Sequence, residues 1–424
     1  MTVVHSISRA WLTTGATGAQ NYDEFADDAE ITAIISANPH SALAVEMPHL
    51  APESLGKSFT ASLPDAVARL ALERAEGNYL PSEHVVVLYR ITAPGEPTAY
   101  GLWGMVDTDQ ISASADEAGL VIRNEEVFIE KVRERVALAG ALGTLLSPVL
   151  LLQTAKGEEL HAALAAATEA AGEPAATDVD QSGRTHAIWP IAPGPLQDEL
   201  TALAGGGELV VADGNHRSLA AQTGRLPRFL AVVTTPASVA IQPYNRLVSE
   251  LPLPLDELLK RLGEAGATVN ELPRPAPPTD SPGLGRDTAP PTDSPGLGRD
   301  TAGIPGKGTV EIYVQGRTFA LGLPADLNLP LVENLDHALV ERVLLGDVLG
   351  LDPGDKRISY IGGDYSAAWL RGEVDAQHAE LAVLIAPVTV DDFVKVNLER
   401  QKLPRKSTWF TPKARGGLVL SQLD

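Results

Sequence analysis

Glu208-Leu209-Val210-Val211-Ala212 runs without a break into Asp213-Gly214-Asn215-His216-Arg217, and from there into Ser218-Leu219-Ala220-Ala221-Gln222. The first five residues are nearly all apolar and have the length of a buried strand. Asp213-Gly214 then requires an abrupt turn, because glycine adopts backbone conformations closed to other residues and lets a ligand approach the main chain. The residues that follow favour a helix, whose first free N–H groups face back onto the turn. Strand, tight turn and helix together are the unit from which mixed α/β proteins are built.

The same turn is the best candidate for chemistry. Free N–H groups at the helix start, Arg217 as a forked cation and His216 as a donor make an anion site suited to phosphate. The five residues read equally well as a plain helix start, with Asp213 capping and His216 and Arg217 on the surface. The pattern alone leaves both readings open.

Outward from this unit, helical and extended patterns alternate. Helices are expected over 28–35, 63–76, 125–145, 158–171 and 255–264, and strands over 84–92, 100–105, 149–152 and 229–234. Residues 276–301 hold two copies of Ala-Pro-Pro-Thr-Asp-Ser-Pro-Gly-Leu-Gly-Arg-Asp-Thr, the second starting at Ala289. Proline and glycine at that density exclude a helix or central strand, so 271–308 reads as a flexible loop in which length is tolerated. Beyond it, 309–314 and 317–321 read as a hairpin across Gln315-Gly316. Helices over 338–349, 365–372 and 390–398 then alternate with strands over 358–361 and 381–385, which points to βαβ units. The expected organisation is a region over 1–270 carrying the turn, the loop, and a smaller C-terminal α/β layer over 309–424.

Composition narrows the function. The chain has 424 residues, 44% hydrophobic and 21% charged, as in globular proteins. It contains no cysteine, which excludes disulfides, thiolate metal sites and a thiol nucleophile. A formal net charge of −22 opposes nucleic-acid phosphates, so no nucleic-acid partner is expected. Residues 1–6 carry no basic, apolar leader, and the apolar run over 136–152 is broken by Gly140, Gly143 and Pro148. No membrane partner and a cytoplasmic location are the expectation. Gly303-Ile304-Pro305-Gly306-Lys307-Gly308 lacks the ending of a P-loop, and zinc-hydrolase, nucleophile-elbow and Rossmann motifs are absent.

Asp213-Gly214-Asn215-His216-Arg217 with its flanking segments resembles the domain-of-unknown-function 1015 family, which includes free serine kinases. The resemblance also rests on Asn21-Tyr22-Asp23-Glu24-Phe25, Asn124-Glu125, Leu146-Ser147-Pro148 and 183–190. Later it rests on Tyr244-Asn245-Arg246-Leu247-Val248 and, most specifically, Leu403-Pro404-Arg405-Lys406-Ser407-Thr408-Trp409-Phe410-Thr411-Pro412-Lys413. The resemblance implies a core similar to the ParB and sulfiredoxin-like fold. Three positions depart from the family pattern: Asn124, Asn215 and Asn245 stand where it has histidine. Asparagine keeps hydrogen bonding but cannot shuttle a proton near neutral pH.

The resemblance further implies a kinase: phosphoryl transfer from ATP or ADP, with Mg²⁺, to the hydroxyl of free serine or a similar small metabolite. On that reading Gly214, Asn215, His216 and Arg217 hold phosphate, and Arg246, Lys406, Ser407 and Thr408 complete nucleotide or substrate binding. Asp213 holds the metal, His216 assists, and Glu125 is the candidate base with Asp23 in reserve. The alternative is a nucleotide- or phosphometabolite-binding regulator that has lost the proton chemistry. His186 is expected in the core, satisfied by backbone, beside the core residue Trp189.

Overall fold

A computed structural model describes residues 2–423 apart from 16, 19, 23, 24, 26, 27, 113, 115, 126, 128, 274–303 and 364. The tandem copy and Asp23 lie outside the described residues. The described residues group into two units, one of residues 2–239 with 412–423, the other of 240–273 with 304–411. It is a mixed α/β protein.

The first unit is built on a mixed sheet. Its main strands are β1 (Ile7–Thr13), β2 (Tyr79–Thr92), β3 (Ala99–Asp107), β4 (Val149–Gln153), β5 (Leu209–Asp213) and β6 (Arg228–Thr234). They lie side by side in the order β5-β4-β6-β3-β2-β1, with Val419–Gln422 beyond β1. β4 and β6 are parallel and the other neighbours in this run antiparallel. Alternate residues of these strands, among them Val86, Leu88, Leu151, Val211, Ala231 and Val233, fill one buried cluster. Each large apolar side chain so buried contributes about 1.5–3 kcal/mol.

Two helices frame the turn: α1 (Ile129–Leu142) and α2 (Asn215–Thr223). α1 is shorter than the helix expected over 125–145. It ends where Gly143 takes φ +57, the left-handed conformation that terminates helices, and Thr144–Leu145 pairs instead with the strand Val419–Gln422. Glu125 therefore precedes the helix rather than occupying its first turn.

The second unit holds strands β7 (Asn245–Val248), β8 (Val310–Val314), β9 (Arg317–Gly322), β10 (Ile358–Ile361) and β11 (Leu381–Ile385), with helix α3 (Ala367–Asp375) between the last two. With Thr268–Leu272 at one edge, the order is Thr268–Leu272, β9, β8, β11, β7, β10, and every neighbouring pair is antiparallel. β10 and β11 both run antiparallel to β7 and hence parallel to each other, so β10-α3-β11 is a βαβ unit split by an inserted strand. The β8–β9 hairpin turns at Gln315 and Gly316, both with positive φ, the pairing that matches the twist of the strands. The helix expected over 338–349 starts as Asp336–Leu339 and continues over Val340–Val348 with the wider π repeat.

Candidate functional site

β5 and β4 lose register between Val211 and Asp213, leaving an extra residue that re-aims the end of β5. Gly214 follows with φ +96, and a Cβ there would lie 3.1 Å from Val149 Cα and 3.2 Å from Arg217 Nε. Backbone angle and space both demand glycine at this position. Ser218 N donates to Gly214 O at 2.9 Å, closing the first turn of α2.

Asn215, Asn124 and Glu125 meet at that turn. Asn215 Nδ2 donates to Asn124 Oδ1 at 3.3 Å and to Glu125 Oε2 at 3.5 Å, while Asn124 N donates to Asn215 Oδ1 at 3.4 Å. Asn124 Nδ2 also donates to Val211 O at 3.2 Å, which ties the loop before α1 to the end of β5. Both asparagines are buried and Glu125 is half-buried.

Arg217 is nearly buried and engaged within the chain. Nη2 donates to Asp213 Oδ2 at 2.5 Å, and Nη1 donates to the Pro148 carbonyl. Pro148 precedes β4, so the guanidinium staples α2 to both strands beneath it. The Asp213 carboxylate makes its one side-chain hydrogen bond through Oδ2, leaving Oδ1 without a partner among the described residues. His216 is half-buried on the first turn of α2.

The remaining expected residues belong to the second unit. Arg246 is fully buried on β7, where Nη1 donates to Tyr244 O at 2.9 Å and Nη2 to Glu341 Oε1 at 3.2 Å. Its guanidinium lies 4.3 Å from the centroid of the Tyr360 ring. Burial raises the Glu341 carboxyl above its ordinary range, against the pull of the Arg246 charge. Lys406 takes a left-handed φ of +53 and sets its ammonium 5.6 Å from the Tyr244 ring centroid. Ser407 Oγ donates to Pro404 O at 2.8 Å, and Thr408 is half-exposed beside it. Asn245, the third departure, accepts from Ile385 N at 3.0 Å and so serves the sheet.

The profile of DUF1015, a protein family of unknown function, matches residues 16–338, from before Asn21-Tyr22 through the turn and into the second unit. The chain belongs to the DUF1015 family. No curated protein matches this DUF1015 chain in sequence. Among solved structures, a free serine kinase in complex with AMP is 12% identical at a TM-score of 0.37, over 73% of this chain and 87% of that one. A conserved hypothetical protein from Pyrococcus furiosus is 12% identical at 0.36, over 74% and 93%. SbnI with a C-terminal truncation, from Staphylococcus aureus, is 10% identical at 0.37, over 74% and 84%.

The DUF1015 chain also carries a buried polar network outside the expected residues. His186 is satisfied by side chains rather than backbone: Nδ1 lies 2.6 Å from Tyr89 Oη and Nε2 lies 3.1 Å from Asp180 Oδ2. Arg415 Nη2 donates to the same Asp180 oxygen at 2.7 Å. Burial and the Arg415 charge outweigh Asp180 and hold His186 at about 4, so the imidazole is neutral at pH 7. Asp180 accepts from Nε2–H, which fixes Nδ1 as the acceptor of the Tyr89 hydroxyl proton. Burial alone would raise Asp180, but the hydrogen bond from His186 and the Arg415 charge hold it below the carboxylate range. Nothing in the sequence pattern announces this network, because its members come from three separate segments. Among the described residues no helix is long and apolar enough to cross a membrane.

Proposed function

We propose that this protein is a phosphotransferase that moves a phosphoryl group from ATP or ADP to the hydroxyl of serine or a similar small metabolite in the cytoplasm. The observation that carries the reading is the meeting of Glu125, Asn124 and Asn215 at the start of α2, from segments far apart in the chain. It sets a carboxylate beside a glycine turn at the start of a helix, the parts such a transfer needs. The ParB/sulfiredoxin-like core implied by the motifs belongs to the same proposal.

On this reading the N–H groups of residues 215–217 and the His216 side chain hold phosphate oxygens. Mg²⁺ takes one or two carboxylates together with phosphate oxygens and water, which the half-buried Asp213 carboxylate beside the turn fits. The metal would supply charge neutralisation on the phosphates. Glu125 accepts the proton of the acceptor hydroxyl as its oxygen bonds to phosphorus and the bond to the nucleotide breaks. Arg217 keeps Asp213 and the turn in place. Within the second unit, Lys406, Ser407 and Thr408 are the proposed nucleotide or substrate contacts, and Arg246, fully buried and paired with Glu341, supports them from beneath instead of touching the ligand.

A regulator that binds a nucleotide or phosphometabolite without turnover is the second reading. The mutual satisfaction of Asn124 and Asn215, where the family pattern has histidines, favours it. Incubation with Mg²⁺, ATP or ADP and a panel of hydroxyl amino acids, read by mass spectrometry, separates the two. Phosphorylated product supports the transferase; nucleotide binding without product supports the regulator.

A further inference from the structure

A cavity of about 180 Å³ lies between α1 and α2, over β4 and β6. Val136, Leu146, Val149, Ala220, Phe229 and Leu230 give it mainly apolar walls. Polar groups enter at one end, where Ser147 Oγ donates to Glu46 Oε1 at 2.7 Å and Arg135 Nη1 lies 3.7 Å from the same oxygen. Arg217 reaches the wall from α2 but is paired with Asp213. Glu46 and Arg135 are themselves buried. Gly140 at the rim is exposed, and Val136 and Ala139 are half-buried, so the cavity has a way in.

We infer that this cavity is a binding site for a small neutral molecule, a single ring or short apolar chain with at most one hydroxyl or amide group. Size sets the first limit: a dry apolar cavity of roughly 150 Å³ is known to take benzene. Charge sets the second. The charged groups of the wall form two pairs, Arg135 with Glu46 and Arg217 with Asp213, so a charged ligand would lose its hydration without an unpaired counter-charge. A neutral ligand loses only apolar hydration, which is favourable, and Ser147 Oγ, whose proton goes to Glu46, keeps acceptor capacity for a single donor group. The cavity shares Arg217 with the turn, but the inference does not use the nucleotide reading and stands or falls without it.

The test uses the full chain with toluene, phenol and hexanoate at millimolar concentration, read by thermal melting and by methyl NMR. Toluene and phenol should raise Tm and shift methyl signals of Val136, Leu146 and Leu230, with hexanoate weaker by about tenfold or more. Val136→Phe and Ala139→Leu, made separately, fill the space and should abolish the response while circular dichroism stays unchanged. If Val136→Phe does not fold, Ala139→Leu decides alone, and the NMR map on the unaltered chain decides independently. Absence of any toluene or phenol response in the unaltered chain overturns the site. So does an undiminished response in a folded, filled variant, and hexanoate binding as tightly as toluene overturns the neutral class.

Discussion

Asn124 and Asn215 hold each other across 91 positions of sequence: the Asn215 side-chain amide donates to Asn124 Oδ1, and the Asn124 backbone N–H donates to Asn215 Oδ1. Both stand where the resemblance implies histidine. Two departures that looked separate in the sequence are therefore one exchange within a single contact, and the pair remains fully able to hydrogen-bond after it.

Because the two amides depend on each other, Asn215→Ala should cost about 1–3 kcal/mol by leaving buried partners unsatisfied. Asn124→Ala should cost a similar amount, and the double variant less than the sum, by roughly 0.5–3 kcal/mol. Urea denaturation of the four proteins measures this, and strict additivity would show that the contact carries no energy.

Gly214 has a left-handed backbone angle, and a Cβ there would press on Val149 Cα at 3.1 Å. Gly214→Ala should lose about 1–2 kcal/mol from the left-handed backbone alone, with the approach to Val149 adding to it. Nucleotide affinity, followed by calorimetry, should fall with it if the turn cradles phosphate.

Glu125→Gln keeps the hydrogen bonding toward Asn215 but removes the proton acceptor. It should leave nucleotide affinity within about twofold and stop phosphoryl transfer, since a missing general base costs about 10²–10⁴ in rate. Turnover equal to the unaltered protein would remove Glu125 from the mechanism. Arg217→Ala, in contrast, should weaken nucleotide binding by at least about tenfold, or about 1.4 kcal/mol, as Asp213 and the turn lose their staple.

His186 sits at about 4 in the folded chain against an ordinary 6.5. Between those values the unfolded chain takes up a proton that the folded chain refuses. Stability is thus fully present above pH 6.5 and falls as the pH drops toward 4, by about 1.4 kcal/mol per unit. Replacing this residue, as His186→Gln, should flatten that part of the profile in denaturant melts from pH 7 to pH 4.5. An identical slope in both proteins would refute the assignment.

Much of the fold was legible because burial repeats with a period. Leu381–Ile385, Ile358–Ile361, Leu255–Glu264 and Val390–Leu398 fall where apolar spacing put them. The Asp213-Gly214 turn was legible for the same reason a hairpin is: a glycine after a buried strand has few other uses. What failed to show was pairing at long range. Val419–Gln422 is a short apolar stretch like many others, and only its partner Ile7–Thr13 makes it a strand. Nor could spacing announce Arg135, a cation on the inner face of a helix, whose place depends on Glu46 and on the Tyr22 and Phe59 rings that its guanidinium covers.

The pairing of Val419–Gln422 with Ile7–Thr13 also orders the protein's birth. A ribosome must release the second unit before it delivers the strand that the first unit's sheet awaits. Arg415, which binds Asp180, and Gly417, whose carbonyl accepts from Tyr79, arrive just as late. During synthesis the edge of β1 and the Arg415 position beside Asp180 stay unfilled while residues 240–411 emerge. The nascent chain thus carries an unfinished sheet edge that chaperones can grasp until Val419–Gln422 pairs with it.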